Sequence, residues 1–234
     1  MIVSIHQPHF LPWLGYFNKV FNSDAFVWLH NVQFRKNYFQ NRTKIKNADA
    51  DQELWLTIPI KASLSDNIDQ VKIADARWAN KAIKTIEQNY RKAPFFSAYF
   101  KMLTEHFTTS EYLDEINYKT FIVLMRELSY QGKIVRMDEL DIDIQDPNLR
   151  LIEICKKLKS DHYIAGKGGK NYLNNQQWAD VGIKVSWQSF NTETLQYPQL
   201  GKSFVPSLSV IDCLFNNGPE KTRELIMNAW QVDQ

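Results

Sequence analysis

The chain has 234 residues, enough for one large domain or two small ones. Its 28 basic residues nearly balance 26 acidic ones, and a net charge of +2 gives no support to a nucleic-acid binder or to a tail that binds by bulk charge. Eight glycines and eight prolines are too few for a collagen-like, linker-rich or largely disordered chain, while 13% aromatic residues allow a sizeable core. The two cysteines, Cys155 and Cys213, each lie in an apolar periodic segment, which excludes a disulfide framework and a cysteine-built zinc site. The first residues lack the basic flank and apolar core of a signal peptide, and no run approaches ~20 apolar residues. The expectation is a cytoplasmic protein with no membrane span.

In chain order, 2–5 reads as a short buried strand that runs into His6-Gln7-Pro8-His9-Phe10-Leu11-Pro12-Trp13, a loop punctuated by two prolines. Leu14, Phe17, Val20 and Phe21 recur at helical spacing, so a helix over about 13–22 follows, stopped by Asn22-Ser23-Asp24. A second strand covers 25–30, and strand, loop, helix and strand within 30 residues is a βαβ signature. Residues 31–52 are polar without a clean period, and 53–60 reads as a strand ending at Pro59. A loop with a short extended piece at 71–73 comes next. Three helical patterns then follow, over 78–90, over 96–107 after Pro94, and over 112–130 with Gly132 as the stop. The βα rhythm returns with a strand at 133–137, a helix at 148–159, a strand at 162–165, a short helix at about 171–180 and a strand at 183–187. Two closing helices, 208–216 and 220–230, are separated by Gly218-Pro219. The acidic run 138–143 alternates at strand spacing and fits a solvated edge strand better than a metal site. The pattern implies one α/β domain over 1–234, with a Rossmann-like three-layer core, a mainly parallel sheet and a helical insertion at about 76–131.

Four constellations can carry chemistry. His6, Gln7 and His9 follow the carboxyl end of the first strand, where open α/β sheets bind ligands. A catalytic or phosphate-binding imidazole belongs there, although a histidine bonded in a strand–helix corner would look the same. The stretch 31–46 carries Arg35, Lys36, Arg42, Lys44 and Lys46, no acid, the aromatics Tyr38 and Phe39, and Asn41. As a loop after the second strand it suits phosphates and a stacked base or sugar, and a solvated polar hairpin is the plainer alternative. Gly166-Lys167-Gly168-Gly169-Lys170 is a glycine-rich turn between strand and helix that allows close backbone approach by an anion, yet it matches neither the Walker loop nor the dinucleotide fingerprint. Asp212 falls in the first turn of an otherwise apolar helix, where the helix dipole favours it and where it can also orient a site group. No GxSxG elbow or HExxH motif occurs, and His30, His106 and His162 have no partners at metal spacing.

The stretch from Ile5 to Val20, with HQP, two variable residues and then LPW-x-GYF, resembles the opening of the WbqC-like family. Asn41-Arg42 with Ile45-Lys46, Trp55-Leu56-Thr57-Ile58-Pro59, Tyr163-Ile164-Ala165-Gly166 with Gly168-Gly169, and the segment from Phe204 to Gly218 fit the same family, although Ala165 stands where serine is commoner. The resemblance implies a cytoplasmic role in making or decorating nucleotide-activated sugars, since such proteins are associated with gene clusters for O-antigen and other surface polysaccharides. The reading that follows is a transferase that passes an N-acyl or aminoacyl group to a nucleotide-linked amino sugar. His6 is the general base, and Gln7, His9, Asn41, Arg42, Lys46 and Asp212 hold the substrate. Lys167, Gly168 and Gly169 form a second anion site for a coenzyme A or carrier-protein thioester. Two alternatives remain at this point. One is a nucleotidyltransferase, by the layout similarity of the strand–HxP–helix opening to HIGH-motif enzymes. The other is a non-catalytic sugar-nucleotide binding protein.

Overall fold

Residues buried on both faces form the central sheet. At 25–28 the side chains alternate between two layers, Phe26 and Trp28 into one and Ala25 and Val27 into the other, and all four are buried. The computed structural model describes residues 1–63, 65–190 and 195–229 together with the backbone of 231–233. In chain order the elements are β1 (Ile2–His6), α1 (Leu14–Phe21), β2 (Ala25–Trp28), β3 (Arg42–Asn47), β4 (Gln52–Thr57), β5 (Ile60–Lys61) and β6 (Lys72–Ile73). Helices α2 (Trp78–Tyr90), α3 (Phe96–Thr104) and α4 (Leu113–Glu127) follow, then β7 (Lys133–Arg136), α5 (Pro147–Lys157), β8 (His162–Ala165), α6 (Asn175–Asp180), β9 (Lys184–Ser189), α7 (Val210–Asn228) and β10 (Gln231–Asp233).

The six-stranded sheet has the order β10-β9-β8-β1-β2-β7. Its five strands from β9 to β7 run parallel, and only β10 is antiparallel. The chain builds outward from β1 through β2 to β7, then crosses back to lay β8 and β9 on the other side of β1. The strand order therefore reverses between β1 and β8, and a crevice opens beyond their carboxyl ends. Helices cover both faces, so the molecule is a three-layer α/β fold of the Rossmann-like kind. Phe17 of α1, Phe121 of α4 and Leu214 of α7 pack with Phe26 and Trp28, and the Phe121 ring lies 4.9 Å from that of Trp28. Leu151, Ile152 and Cys155 of α5 and Trp178 of α6 cover Val3, Ile5 and Val27 on the opposite face, where Tyr163 stacks on Trp178 at 5.0 Å.

Three expectations need correction. The stretch 31–46 is not all loop: its end is strand β3, paired antiparallel with β4 from Arg42↔Thr57 to Asn47↔Gln52. Its lysines obscure the period, but Thr43 and Ile45 are buried together, which is the two-residue alternation of a half-buried strand. The acidic run 138–143 is not an edge strand. A 3₁₀ turn over Met137–Glu139 takes the chain off the sheet, and Asp141 adopts φ 49°, incompatible with a ladder. The expected helix over 171–180 is shorter, because a 3₁₀ turn covers Lys167–Asn171 and α6 begins only after Asn174, whose side chain accepts from the Gln176 and Gln177 amides. The expected break between the two closing helices is present within α7 at Gly218, whose φ of 77° is not helical and where a Cβ would lie 2.8 Å from the Phe95 ring. Trp230, expected in the second of them, lies outside the described residues.

Candidate active site

At the reversal point between β1 and β8 lies a cavity of about 710 Å³, a size usual for small-molecule sites. His6 ends β1 and lines it. The His6 Nδ1 is 2.9 Å from the Gln7 carbonyl oxygen. A carbonyl only accepts, so the imidazole hydrogen sits on Nδ1 and Nε2 keeps its lone pair, with no partner among the described residues. The Tyr16 hydroxyl donates to the same oxygen at 3.1 Å and its ring packs on His6 at 4.6 Å, which fixes the imidazole plane. Surrounding protein pushes the His6 pKa down to about 3, helped by the neighbouring Lys19 charge, so the ring is neutral at physiological pH although it remains half-exposed to the cavity.

Gln7 is oriented by a relay. The fully buried Gln40 donates Nε2 to Gln7 Oε1 at 2.8 Å, while its own Oε1 accepts from the Arg35 amide at 2.8 Å. This turns the Gln7 amide nitrogen into the group left to donate. His9 is 4% exposed and lines the cavity, and neither of its ring nitrogens has a hydrogen-bond partner among the described residues. It is wedged between Tyr16, Phe39 and Tyr38, with Phe39 stacked at 5.7 Å. Burial, and then His6, drives its pKa well below the usual histidine value, so it too is neutral.

Lys19, on α1, also reaches the cavity. It is 3% exposed, donates Nζ to the Ile5 carbonyl at 2.7 Å, and has no ion pair among the described residues. Burial pulls its pKa down to about 7. Across the crevice, after β8, Lys167, Gly168 and Gly169 line the same cavity. These glycines do not supply the left-handed backbone, which is confined among the described glycines to Gly182, Gly201 and Gly218. A Cβ at Gly168 would meet nothing within 4 Å, so the fold does not require glycine there and the bare backbone faces open space. A Cβ at Gly169 would press on Leu173 and Trp187 at 3.1 Å. Counting Arg35, three cationic side chains line the cavity, and among the described lining residues none is Asp or Glu.

Of the residues expected at the site, the fold brings together His6, Gln7, His9, Lys167, Gly168 and Gly169. Asn41, Arg42, Lys46 and Asp212 are not among the described residues lining the cavity, and each has a partner elsewhere. Asn41 is buried and donates Nδ2 to the Ile58 carbonyl at 3.0 Å, tying β3 to the segment after β4. The Arg42 guanidinium lies 4.2 Å over the Trp55 ring and donates to the Asn37 carbonyl. The cavity residue Phe39 stands between, contacting Trp55 at 5.7 Å. Lys46 is 1% exposed, paired with Asp51 at 3.2 Å and bonded to the Ser203 carbonyl. Asp212 is fully buried, accepting from the Tyr90 hydroxyl at 2.9 Å and from Gln199 Nε2 at 2.8 Å. Sequence reasoning passed over Lys19, Tyr16 and Gln188, which joins α1 to β9 through Gly15 and Asn18. One signal for Lys19 was available, since no other Asp, Glu, Lys or Arg occurs in the first 23 residues.

A family model of WbqC-like proteins matches residues 7–224, a span that takes in nearly all of the cavity lining. An uncharacterized protein of Mycobacterium tuberculosis, Rv1507c, is 28% identical over 226 residues, covering 93% of this chain and 94% of that one. No solved structure matches the chain. Among the described residues, no helix is long and apolar enough to cross a membrane.

Proposed function

The chain belongs to the WbqC-like protein family, and we propose that it is a transferase whose substrate, a nucleotide-linked amino sugar of surface-polysaccharide (O-antigen) assembly, binds in the cavity between β1 and β8. The observation that carries this reading is a cationic lining at the fold's switch point, with no carboxylate among its described residues and a neutral histidine whose Nε2 has no partner among them. Lys19, Arg35 and Lys167 supply counter-charge for a diphosphate, and charge-assisted contacts of this kind are worth about 1.5–3 kcal/mol each. His6 Nε2 takes the proton that the sugar amine releases as its nitrogen attacks the thioester carbonyl of an acyl or aminoacyl donor carried on coenzyme A or a carrier protein. The C–N bond forms, the C–S bond breaks, and the sulfur leaves as the thiol, taking back from His6 the proton that the amine released. A weakly basic imidazole suffices once an anionic substrate is bound beside it, because that charge raises its pKa. The Gln7 amide donates to the substrate, and the Tyr16–Gln7 carbonyl pair keeps the ring in the tautomer that exposes Nε2.

The test is single-turnover acyl transfer over a panel of nucleotide amino sugars and thioesters, comparing wild type with His6→Ala. Loss of about 10²–10⁴-fold in rate with substrate affinity retained is the expected result. An unchanged rate removes His6 as the base. Tight ligand binding with no product from any donor removes the transferase reading and leaves a binding protein.

A further inference from the structure

Lys19 stands apart from the other charged residues. A buried lysine ordinarily has a carboxylate beside it, because an unpaired buried charge is costly. Among the described residues Lys19 has no carboxylate beside it: its amine donates to the Ile5 carbonyl at 2.7 Å and lies over the Tyr163 ring, 5.7 Å from the centroid. A second anomaly sits in the same cavity: His9 is 4% exposed and has two ring nitrogens without partners among the described residues. Both groups are polar, both are buried, and both border space that the fold leaves open. On the far side, Gly166 places its backbone beside the amine (a Cβ there would be 3.9 Å from Lys19 Nζ), and Gly168 leaves room for a close approach.

We propose that the inner end of this cavity is a phosphate subsite, in which the Lys19 amine is the principal counter-charge, His9 donates one ring N–H, and the backbone at Gly166–Gly168 provides the opposite wall. The ligand is the diphosphate of a nucleoside diphosphate. This inference rests on the reading of the cavity as the substrate site, but not on the transfer chemistry assigned to His6.

The site carries a signature that a permanently charged cation would not. The titratable groups facing Lys19 are the Cys155 thiol from α5, Tyr163 from β8 and His6 at the end of β1. None is anionic near neutral pH: burial pushes the thiol up to about 12 and the phenol well above its usual value, and His6 is neutral. With its own pKa pulled down to about 7, Lys19 in the empty cavity is roughly nine-tenths neutral at pH 8. A diphosphate docked against it restores the charge, so binding at pH 8 takes up a proton.

The experiment is calorimetric titration of the full chain with uridine diphosphate at pH 8, in two buffers of different ionisation enthalpy, for wild type, Lys19→Met and Lys19→Arg, with uridine as the phosphate-free control. Wild type is expected to bind uridine diphosphate with uptake of close to one proton and to bind uridine at least about tenfold more weakly. Lys19→Met loses at least about tenfold in affinity together with the uptake. Lys19→Arg keeps most of the affinity and loses the uptake, because guanidinium is always protonated. His9→Phe, which preserves the aromatic packing, weakens binding without abolishing the uptake. Equal affinity for uridine and uridine diphosphate, or wild-type affinity in Lys19→Met, overturns the proposal. If Lys19→Met does not fold, absence of proton uptake in wild type, or its persistence in Lys19→Arg, overturns it equally. Phosphate binding that survives while His6→Ala transfers at the wild-type rate leaves this site standing and refutes only the His6 chemistry.

Discussion

Asp212 supplies the sharpest test of which polar residues belong to the fold and which to the cavity. Its carboxylate is fully buried at the start of α7, accepting from Tyr90 and Gln199. Burial outweighs those hydrogen bonds and the Lys46 charge, and its pKa is pushed up to about 6. The ordinary aspartate value of about 3.9 applies in the unfolded chain. The folded state therefore binds the proton more tightly, so the contribution to stability is fully present below about pH 4 and is lost as pH rises through about 6. Two pKa units at ~1.36 kcal/mol each make the full contribution about 3 kcal/mol, of which about 2 kcal/mol is lost between pH 4 and pH 7, because at pH 4 the unfolded aspartate is already about half ionised. Asp212→Asn removes the titration. Its remaining cost, an amide nitrogen set against the Gln199 donor, does not depend on pH in this range. Urea unfolding of both proteins at pH 4, 5, 6 and 7 is the assay. The stability of wild type minus that of the variant should fall by about 2 kcal/mol across the series, whatever the other carboxylates do to each curve. Uridine diphosphate affinity should be the same in both. A flat difference refutes the burial argument, and a flat difference with weakened ligand binding returns Asp212 to the site.

Arg42→Ala should destabilise the segment 35–41 by about 0.5–1 kcal/mol, the size of an exposed cation–π contact, and leave ligand affinity within about threefold; a tenfold loss of affinity at unchanged melting temperature would place Arg42 in the site after all. Gly168→Ala should leave thermal stability within about 0.5 kcal/mol, since the new methyl meets nothing, yet weaken uridine diphosphate binding severalfold if ligand passes close to that backbone; unchanged affinity in titration calorimetry would show that it does not.

The continuous apolar run at 25–28, the helical spacing of Leu14, Phe17 and Val20, and the return of the βα rhythm after 132 determine the α/β class, because burial on one face or two leaves its pattern in the sequence. The strand–loop–helix opening likewise located His6, Gln7 and His9 at a strand's carboxyl end before any packing was known. Lys46 and Asp212 looked like site groups for the same reason that Lys19 did not. A lone charged residue shows its chemistry in the sequence, but not what faces it. Lys46 meets Asp51 and Asp212 meets Tyr90, in the core between the β3–β4 hairpin and α7. Lys19 lies off the apolar stripe of α1 and reads as solvent-facing, yet this helix is covered on nearly all sides. Only the crossing of the chain from β7 to β8, placing Gly166 and Lys167 beside the end of β1, turned residues about 160 positions apart into one cavity. Hydrophobic period is a local property that survives in one dimension. The partner of a buried charge is set by strand order, which the period does not encode.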